Sequence, residues 1–423
     1  MSRLQSPPPA DSVPPAAQAG GPPGSAWRGT ALRLAAVAAA YLAAVGILCL
    51  AAWLGDWLKI PWLGLVGLAA DVALLVAAGA RLNRRGHALG STIGPVVALL
   101  VIILLFAVAD QLMNGERASF WSMRSLRTSS VQTSTIAVAA LGMTLIIIAG
   151  GIDLSVGTTL SLAATVMAWT LTKHTSANPN VGTAVAIAAC VATGCLAGLL
   201  NGLLTSLLRV VPFIITLGTM TAYLGIGKVL SKETTVRPST RDIADWLPSL
   251  VTTRPQPLWL WEPLLPNFGW SVWLTLALAA CLSALLHWTV FGRHVFAIGS
   301  NARAAQLCGI GVGRTRVLVY ALAGLFTGVA GIYHFSRLSE GSPPSGLGME
   351  LKIIAAVVIG GGSLSGGRGS VVGTLAGAAI MQTINAGSTA LSLPNPIQDI
   401  IIGVIIVAAV TLDQVRARRL ERG

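Results

Sequence analysis

Chemistry in a protein needs polar or ionisable side chains brought together, and this sequence offers few that declare themselves. Asp153, Glu350 and Lys352 stand beside or within long apolar runs. A charge in an apolar environment is costly and normally turns towards a cavity or a partner, so these three carry most of the local information. Asp153 has two compatible readings. As a helix cap it bonds the first free amides of the segment opened by Leu154 and Ser155, and as a gate it faces a polar pathway. Glu350 and Lys352 follow the glycine-bearing stretch from Gly341 to Gly348, a placement that suits the membrane interface as well as its interior.

The common catalytic patterns are missing. The single Gly-Lys pair, Gly227 and Lys228, continues with Val229 and lacks the rest of a phosphate-binding loop. His87, His174, His287, His294 and His334 are scattered, and none opens a zinc-protease pattern with two histidines on one helical face. No grouping of Ser, His and carboxylate stands out. Cys49, Cys190, Cys195 and Cys281 fall in apolar runs and Cys308 in a loop, with neither a disulfide framework nor a paired-cysteine zinc spacing. The sequence therefore predicts no catalytic residue, no metal ligand and no cofactor.

What must position the few polar residues is set by composition. Of 423 residues, 54% are hydrophobic and 10% charged, with a mean hydropathy of +0.75. Soluble domains carry about 25% charged residues, and so thin a charged skin cannot cover a chain of this length in water. A bilayer supplies the missing apolar solvent. Crossing about 30 Å of hydrocarbon takes roughly 20 residues in helical form, because every backbone polar group must be paired internally. The apolar runs predict twelve spans, at 31–54, 62–80, 93–112, 132–150, 155–172, 183–207, 213–231, 271–291, 314–336, 349–363, 371–389 and 396–412. The fold class is all-α, a polytopic transmembrane bundle in the cell membrane.

The net charge of +13 raises the question of nucleic acid, but the basic residues are spread along connecting loops. Positive-inside asymmetry explains them, so no nucleic-acid partner is predicted. With a cytoplasmic N-terminus and twelve crossings, the clusters at Arg81, Arg84 and Arg85 and at Arg293, Arg303, Arg314 and Arg316 fall inside, as does the basic C-terminus. Four regions follow: a Pro/Ala/Gly-rich disordered tail (1–30), an accessory pair of spans (31–92), a ten-span body (93–415) and a basic C-terminal end (416–423). Two extra crossings leave the body's orientation unchanged.

Glycines punctuate the body. Gly194, Gly198 and Gly202, Gly324 and Gly328, and Gly373 and Gly377 recur at four-residue spacing, a stripe that lets helix backbones approach closely in any bundle. Breaks are predicted at Gly150 and Gly151 and across Gly360, Gly361, Gly362, Gly366 and Gly367. Broken helices inside a membrane usually line a cavity, which makes Asp153, Ser155, Thr216, Gly360, Gly361 and Gly362 the candidate pathway or gate residues. The loop at 232–270, with Trp246, Trp259, Trp261 and Trp270, suits an outer interface, with anchoring in lipid favoured over docking of a partner.

Four stretches carry a resemblance to a known family. GMTLIIIAGGIDLSVG (142–157), VPFIITLGTM (211–220), IGSNARAAQLCGIGVGRTRV (298–317) and ELKIIAAVVIGGGSLSGGRGSVVGTLAGA (350–378) resemble, in order, signatures of permeases from ribose, xylose and galactose type ABC importers. SRLSEGSPPSG (336–346) and TTVRPST (234–240) resemble the xylose branch. The resemblance implies a homodimer with the pathway at its interface, cytoplasmic ATP-binding subunits and an extracytoplasmic sugar-binding protein. It also implies that Asn301, Arg303, Ala304, Ala305, Leu307, Gly309, Ile310 and Val312 form a coupling loop to the ATPase, with Gly309 small because the loop is tight. Three departures stand out: Arg303 replaces the family's usual glutamate, Lys352 stands at a commonly acidic position, and the pair at 31–80 is additional. Rival readings are the same machine with a nucleoside, an autoinducer-type sugar derivative or a branched-chain amino acid as cargo, or an ATP-independent secondary transporter. A membrane-anchored enzyme ranks last, since no extramembrane segment is long enough for a catalytic domain.

Overall fold

The computed structural model describes residues 90–173, 178–208, 210–251 and 268–421. The predicted tail at 1–30 and the spans at 31–54 and 62–80 lie outside the described residues. Within them the chain forms thirteen α-helices, and no named strand occurs among the described residues. In order these are α1 (Gly90–Asn114), α2 (Met123–Ile148), α3 (Val156–Lys173), α4 (Pro179–Leu208) and α5 (Pro212–Ser231). A short α6 (Trp246–Ser249) precedes α7 (Trp270–Trp288), α8 (Val290–Ser300), α9 (Ala302–Leu307) and α10 (Val312–Leu338). The last are α11 (Met349–Ile359), α12 (Val371–Ala390) and α13 (Asn395–Glu421).

Among the described residues six helices are long and apolar enough to cross a membrane: Gly94–Asn114, Arg124–Ile148, Pro179–Leu208, Pro212–Ser231, Trp270–Trp288 and Val312–Leu338. Their exposure divides them by role. α2 is buried almost all round, with Leu141, Leu145, Ile147 and Ile148 fully enclosed, so it is the hub against which α7, α10, α11 and α12 pack. α4 and α5 instead leave Leu196, Leu207, Phe213 and Ile226 uncovered, as helices facing lipid do. Close packing comes from the glycine stripes. A Cβ on Gly194 would lie 2.6 Å from Gly328 N, and one on Gly198 would lie 2.9 Å from Gly324 Cα, so α4 and α10 meet backbone to backbone.

The span predicted at 349–363 needs correction. α11 has 11 residues, about 16 Å at 1.5 Å per residue, which is half of a hydrocarbon core. It stops at Gly360, and Gly361, Gly366 and Gly367 then take positive φ in the turn that leads to α12. α3 matches the predicted 155–172 within a residue, yet nearly all of it is enclosed by protein. α13 runs on to Glu421, through the basic stretch expected to stand apart from the last span.

Side chains fix the helix ends. The Ser122, Thr289, Asn301 and Ser370 side chains each accept a backbone N–H from the first turn of the helix that follows. Asp110, buried near the end of α1, accepts the amides of Ser119 and Phe120 at 2.8 Å each and so shapes the turn into α2.

Candidate functional site

Three structural units bear on function: the turn around Asp153, a junction of glycines, and an exposed arm between α8 and α10. α2 ends where Gly150 and Gly151 bond back to Ile147 O at 3.0 Å and Ile146 O at 2.9 Å. The chain then turns through Ile152, Asp153 and Leu154 before α3 begins. Asp153 Oδ1 accepts the Ser155 amide at 2.8 Å and its hydroxyl at 2.7 Å. Asn201 on α4 donates Nδ2–H to Ser155 Oγ at 2.8 Å, and Tyr223 on α5 donates its hydroxyl to Asn201 Oδ1 at 3.1 Å. Thr216 Oγ1, also on α5, accepts the Leu154 amide at 3.1 Å. A buried polar relay thus ties the turn to α4 and α5.

The capping reading of Asp153 holds in modified form. Its carboxylate bonds Ser155, one residue before the first helical position, and so shapes the turn that launches α3. Ser155 O takes up the Thr159 amide at 2.7 Å. Tyr320 of α10 abuts the other side of the turn, since a Cβ on Gly151 would lie 2.8 Å from its hydroxyl. That hydroxyl is buried and makes no hydrogen bond in the structure.

Backbone meets backbone at the glycine junction. Gly367 N–H donates to Ile148 O, the last carbonyl of α2, at 2.9 Å. Gly299, in the last turn of α8, lies against both partners of that bond: a Cβ there would run into Ile148 O and stand 2.6 Å from Gly367 N. A Cβ on Gly366 would stand 2.6 Å from Gly299 O and 3.0 Å from Gly150 Cα. Only residues without a side chain let the end of α2, the end of α8 and the turn after α11 approach so closely. Gly360 is held separately, against Gly373 and Thr374 of α12. Among the described residues no hydrogen bond joins Gly360, Gly361 or Gly362 to the Asp153 relay; the two breaks meet through Gly366 and Gly150 instead.

From this junction α8 leads directly into the arm. Asn301 Oδ1 accepts the Ala304 amide at 3.0 Å and caps α9, and Ile310 N–H returns to Ala305 O at 3.1 Å. Ala305 is the buried pivot, whereas Arg303, Ala304, Leu307 and Gly309 are exposed and Ile310 and Val312 are half-buried. Leu307 is 89% exposed, an apolar side chain held at the tip of a turn and free for another protein to cover. Gly309 needs its type for a different reason from the one expected. Nothing lies within 4 Å of a Cβ placed there, so space is not limiting; its φ of +82° is the constraint.

A family model described as the branched-chain amino acid transport system / permease component matches residues 125–410. The chain belongs to this permease family. The ribose import permease protein RbsC of Escherichia coli (strain K12) is 35% identical over 316 residues, covering 75% of this chain and 92% of the relative. The probable ABC transporter permease protein YphD of the same organism is 38% identical over 330 residues, covering 78% and 91%. The galactose/methyl galactoside import permease protein MglC, also of that organism, is 33% identical over 338 residues, covering 77% and 95%. No solved structure matches this chain.

The matched region of the permease holds the Asp153 turn, the glycine junction and the arm. Among the residues singled out from sequence, the structure joins Asp153, Ser155 and Thr216 in one relay and gathers Asn301 to Val312 in one arm. Sequence reasoning missed Asn201, Tyr223, Tyr320 and Gly299. The first three are polar residues inside apolar spans, which is itself a signal of an internal partner. Gly299 gives no such signal, because its neighbours come from segments more than 60 residues away.

Proposed function

We propose that this permease is the membrane subunit of an ABC importer that carries a monosaccharide into the cell, as a homodimer worked by separate cytoplasmic ATP-binding subunits. The observation that carries this reading is the exposed arm around Leu307, continuous through α8 with the glycine junction, in a chain whose relatives are named as ribose and galactose import permeases. Both termini lie on the cytoplasmic side with the arm, and a sugar-binding protein delivers cargo to the opposite face. The xylose assignment rests on two sequence fragments alone, so ribose, galactose and xylose stand as equal cargo candidates.

The geometry suggests how force travels. Closure of the ATPase pair pushes on α9, and Ala305 anchors that push to the rest of the arm. Because α8 ends at Gly299 and Ser300, displacement of the arm bears directly on Ile148 O and Gly367 N. The end of α2 and the turn after α11 then shift together. Asp153 lies three residues beyond Gly150, and its relay passes the movement to α3, α4 and α5. No tight sugar site is required in the permease, since an external protein supplies affinity and ATP biases the two states.

The test is uptake into proteoliposomes containing the permease, its ATPase and its binding protein, with ribose, galactose, xylose and leucine as solutes. ATP-dependent uptake of a monosaccharide supports the proposal. Uptake of leucine alone removes the sugar assignment, and uptake driven by an ion gradient without the ATPase overturns the machine itself.

A further inference from the structure

A cavity of about 540 Å³ opens between α2, α10, α11, α12 and α13, outside the units described above. Ligand pockets run from about 300 to 1,000 Å³, so it has room for a six-carbon sugar and accompanying waters. Its polar lining includes Gln132, Arg337, Lys352, Gln382, Asn385 and Asp399. We propose that this cavity is a transit site for a neutral monosaccharide, and this rests on the import reading given above.

The lining is matched to hydroxyl groups. Gln382 Nε2 donates to Gln132 Oε1, which leaves the Gln132 amide N–H groups free to donate and the Gln382 carbonyl oxygen free to accept. A sugar hydroxyl both gives and accepts a hydrogen bond, and such a pair answers both needs. Among the described residues the only ion pair is Arg237 with Glu340; Arg337 and Asp399 line the cavity as exposed side chains and Lys352 as a half-buried one. Two cations and one carboxylate, spread over α10, α11 and α13, neither converge on one anion nor form a cage for a metal ion. They offer donors and an acceptor to a hydroxyl-rich neutral solute. Ile136, Leu347 and Ile402 complete the lining with an apolar wall suited to the C–H face of a sugar ring.

Position supports a role in transport. His334 and Arg337 of α10 line the cavity, while Val312 at the other end of the same helix adjoins the arm. Twenty-two residues separate Val312 from His334, about 33 Å at 1.5 Å per residue. α11 starts in the cavity at Met349 and ends at Gly360, the entry to the turn that carries Gly366 and Gly367. One short rod therefore links the cavity to the glycine junction. Movement of the arm reaches the lining through α11, at the end of the bundle where cargo arrives in the proposed orientation.

The experiment uses the full importer in proteoliposomes. Leu351 lines the cavity and is exposed, so Leu351→Cys, with Cys281 and Cys308 replaced by serine, reports access to a membrane-impermeant maleimide. Ribose, galactose or xylose at millimolar concentration should slow labelling at least fivefold, whichever of them is imported, and leucine should not. Lys352→Met and Gln382→Leu should each lower sugar uptake at least tenfold. Sugar import with unprotected Leu351→Cys overturns the site while leaving the import reading intact, as does full uptake by both lining variants. Absence of any sugar uptake by the unmodified importer is a failure of the import reading instead. Protection by leucine alone overturns the sugar chemistry of the cavity. If a lining variant does not fold, the labelling result decides.

Discussion

Replacing Gly299 by alanine tests the glycine junction at its most crowded point. A methyl group there would collide with Ile148 O and stand 2.6 Å from Gly367 N, the acceptor and donor of one 2.9 Å hydrogen bond. Losing that bond costs about 1 kcal/mol, and forcing a methyl group into filled space costs a further 1–3 kcal/mol, roughly. Together about 2–4 kcal/mol acts against the docked position of α8. At about 1.4 kcal/mol per tenfold, even the lower bound moves the equilibrium between docked and undocked arm by roughly 30-fold. The ATPase should then turn over without carrying α2 and the turn after α11 along. The assay is sugar imported per ATP hydrolysed in proteoliposomes, with thermal stability measured in parallel. Gly313→Ala is the control, because the nearest atom to a Cβ there is 4.0 Å away. Gly299→Ala should lose at least tenfold in coupling and Gly313→Ala less than twofold. A Gly299→Ala importer with unchanged coupling refutes transmission through this junction.

Two further outcomes follow from the same geometry. At Gly309, φ of +82° costs alanine about 1–2 kcal/mol and asparagine less, so coupling should fall in the order Gly, Asn, Ala. The open space around that position adds no steric clash, so backbone strain alone sets the order, and equal coupling in Ala and Asn variants counts against the conformational argument. Asn201→Leu should cut the link between Ser155, which keeps its bond to Asp153, and Tyr223, which keeps its bond to Ala197 O; losing two hydrogen bonds at about 1 kcal/mol each should lower the melting temperature and reduce uptake. A melting temperature equal to that of the unmodified protein contradicts the relay.

Much of the bundle was legible in apolar run lengths, because a helix in lipid must be long and continuous. Six long apolar helices stand where runs of 20 or so residues predicted them. The 349–363 segment misled for a physical reason: its residues are apolar enough to span, but the glycines after Ile359 end the helix at half the thickness. Helix breaks at Gly150 and Gly360 were readable from local composition, and so was the arm, where Asn301 caps a short helix. The closeness of Gly150, Gly299 and Gly366 was not. Three segments far apart in the chain make that junction, and each glycine alone reads as an ordinary turn or helix residue. The cavity was hidden similarly, since its polar side chains come from five helices and the turn before α11, and none forms a local motif.

The central claim is that the arm around Leu307 is the handle by which a separate ATPase moves this bundle. A photo-reactive amino acid placed at position 307 tests it in the assembled importer, because the side chain there points away from the rest of the permease. Illumination should join the permease to its ATP-binding subunit, and nucleotide should alter the yield. An importer active in ATP-dependent uptake whose position 307 joins only lipid, or only the extracytoplasmic binding protein, contradicts the account.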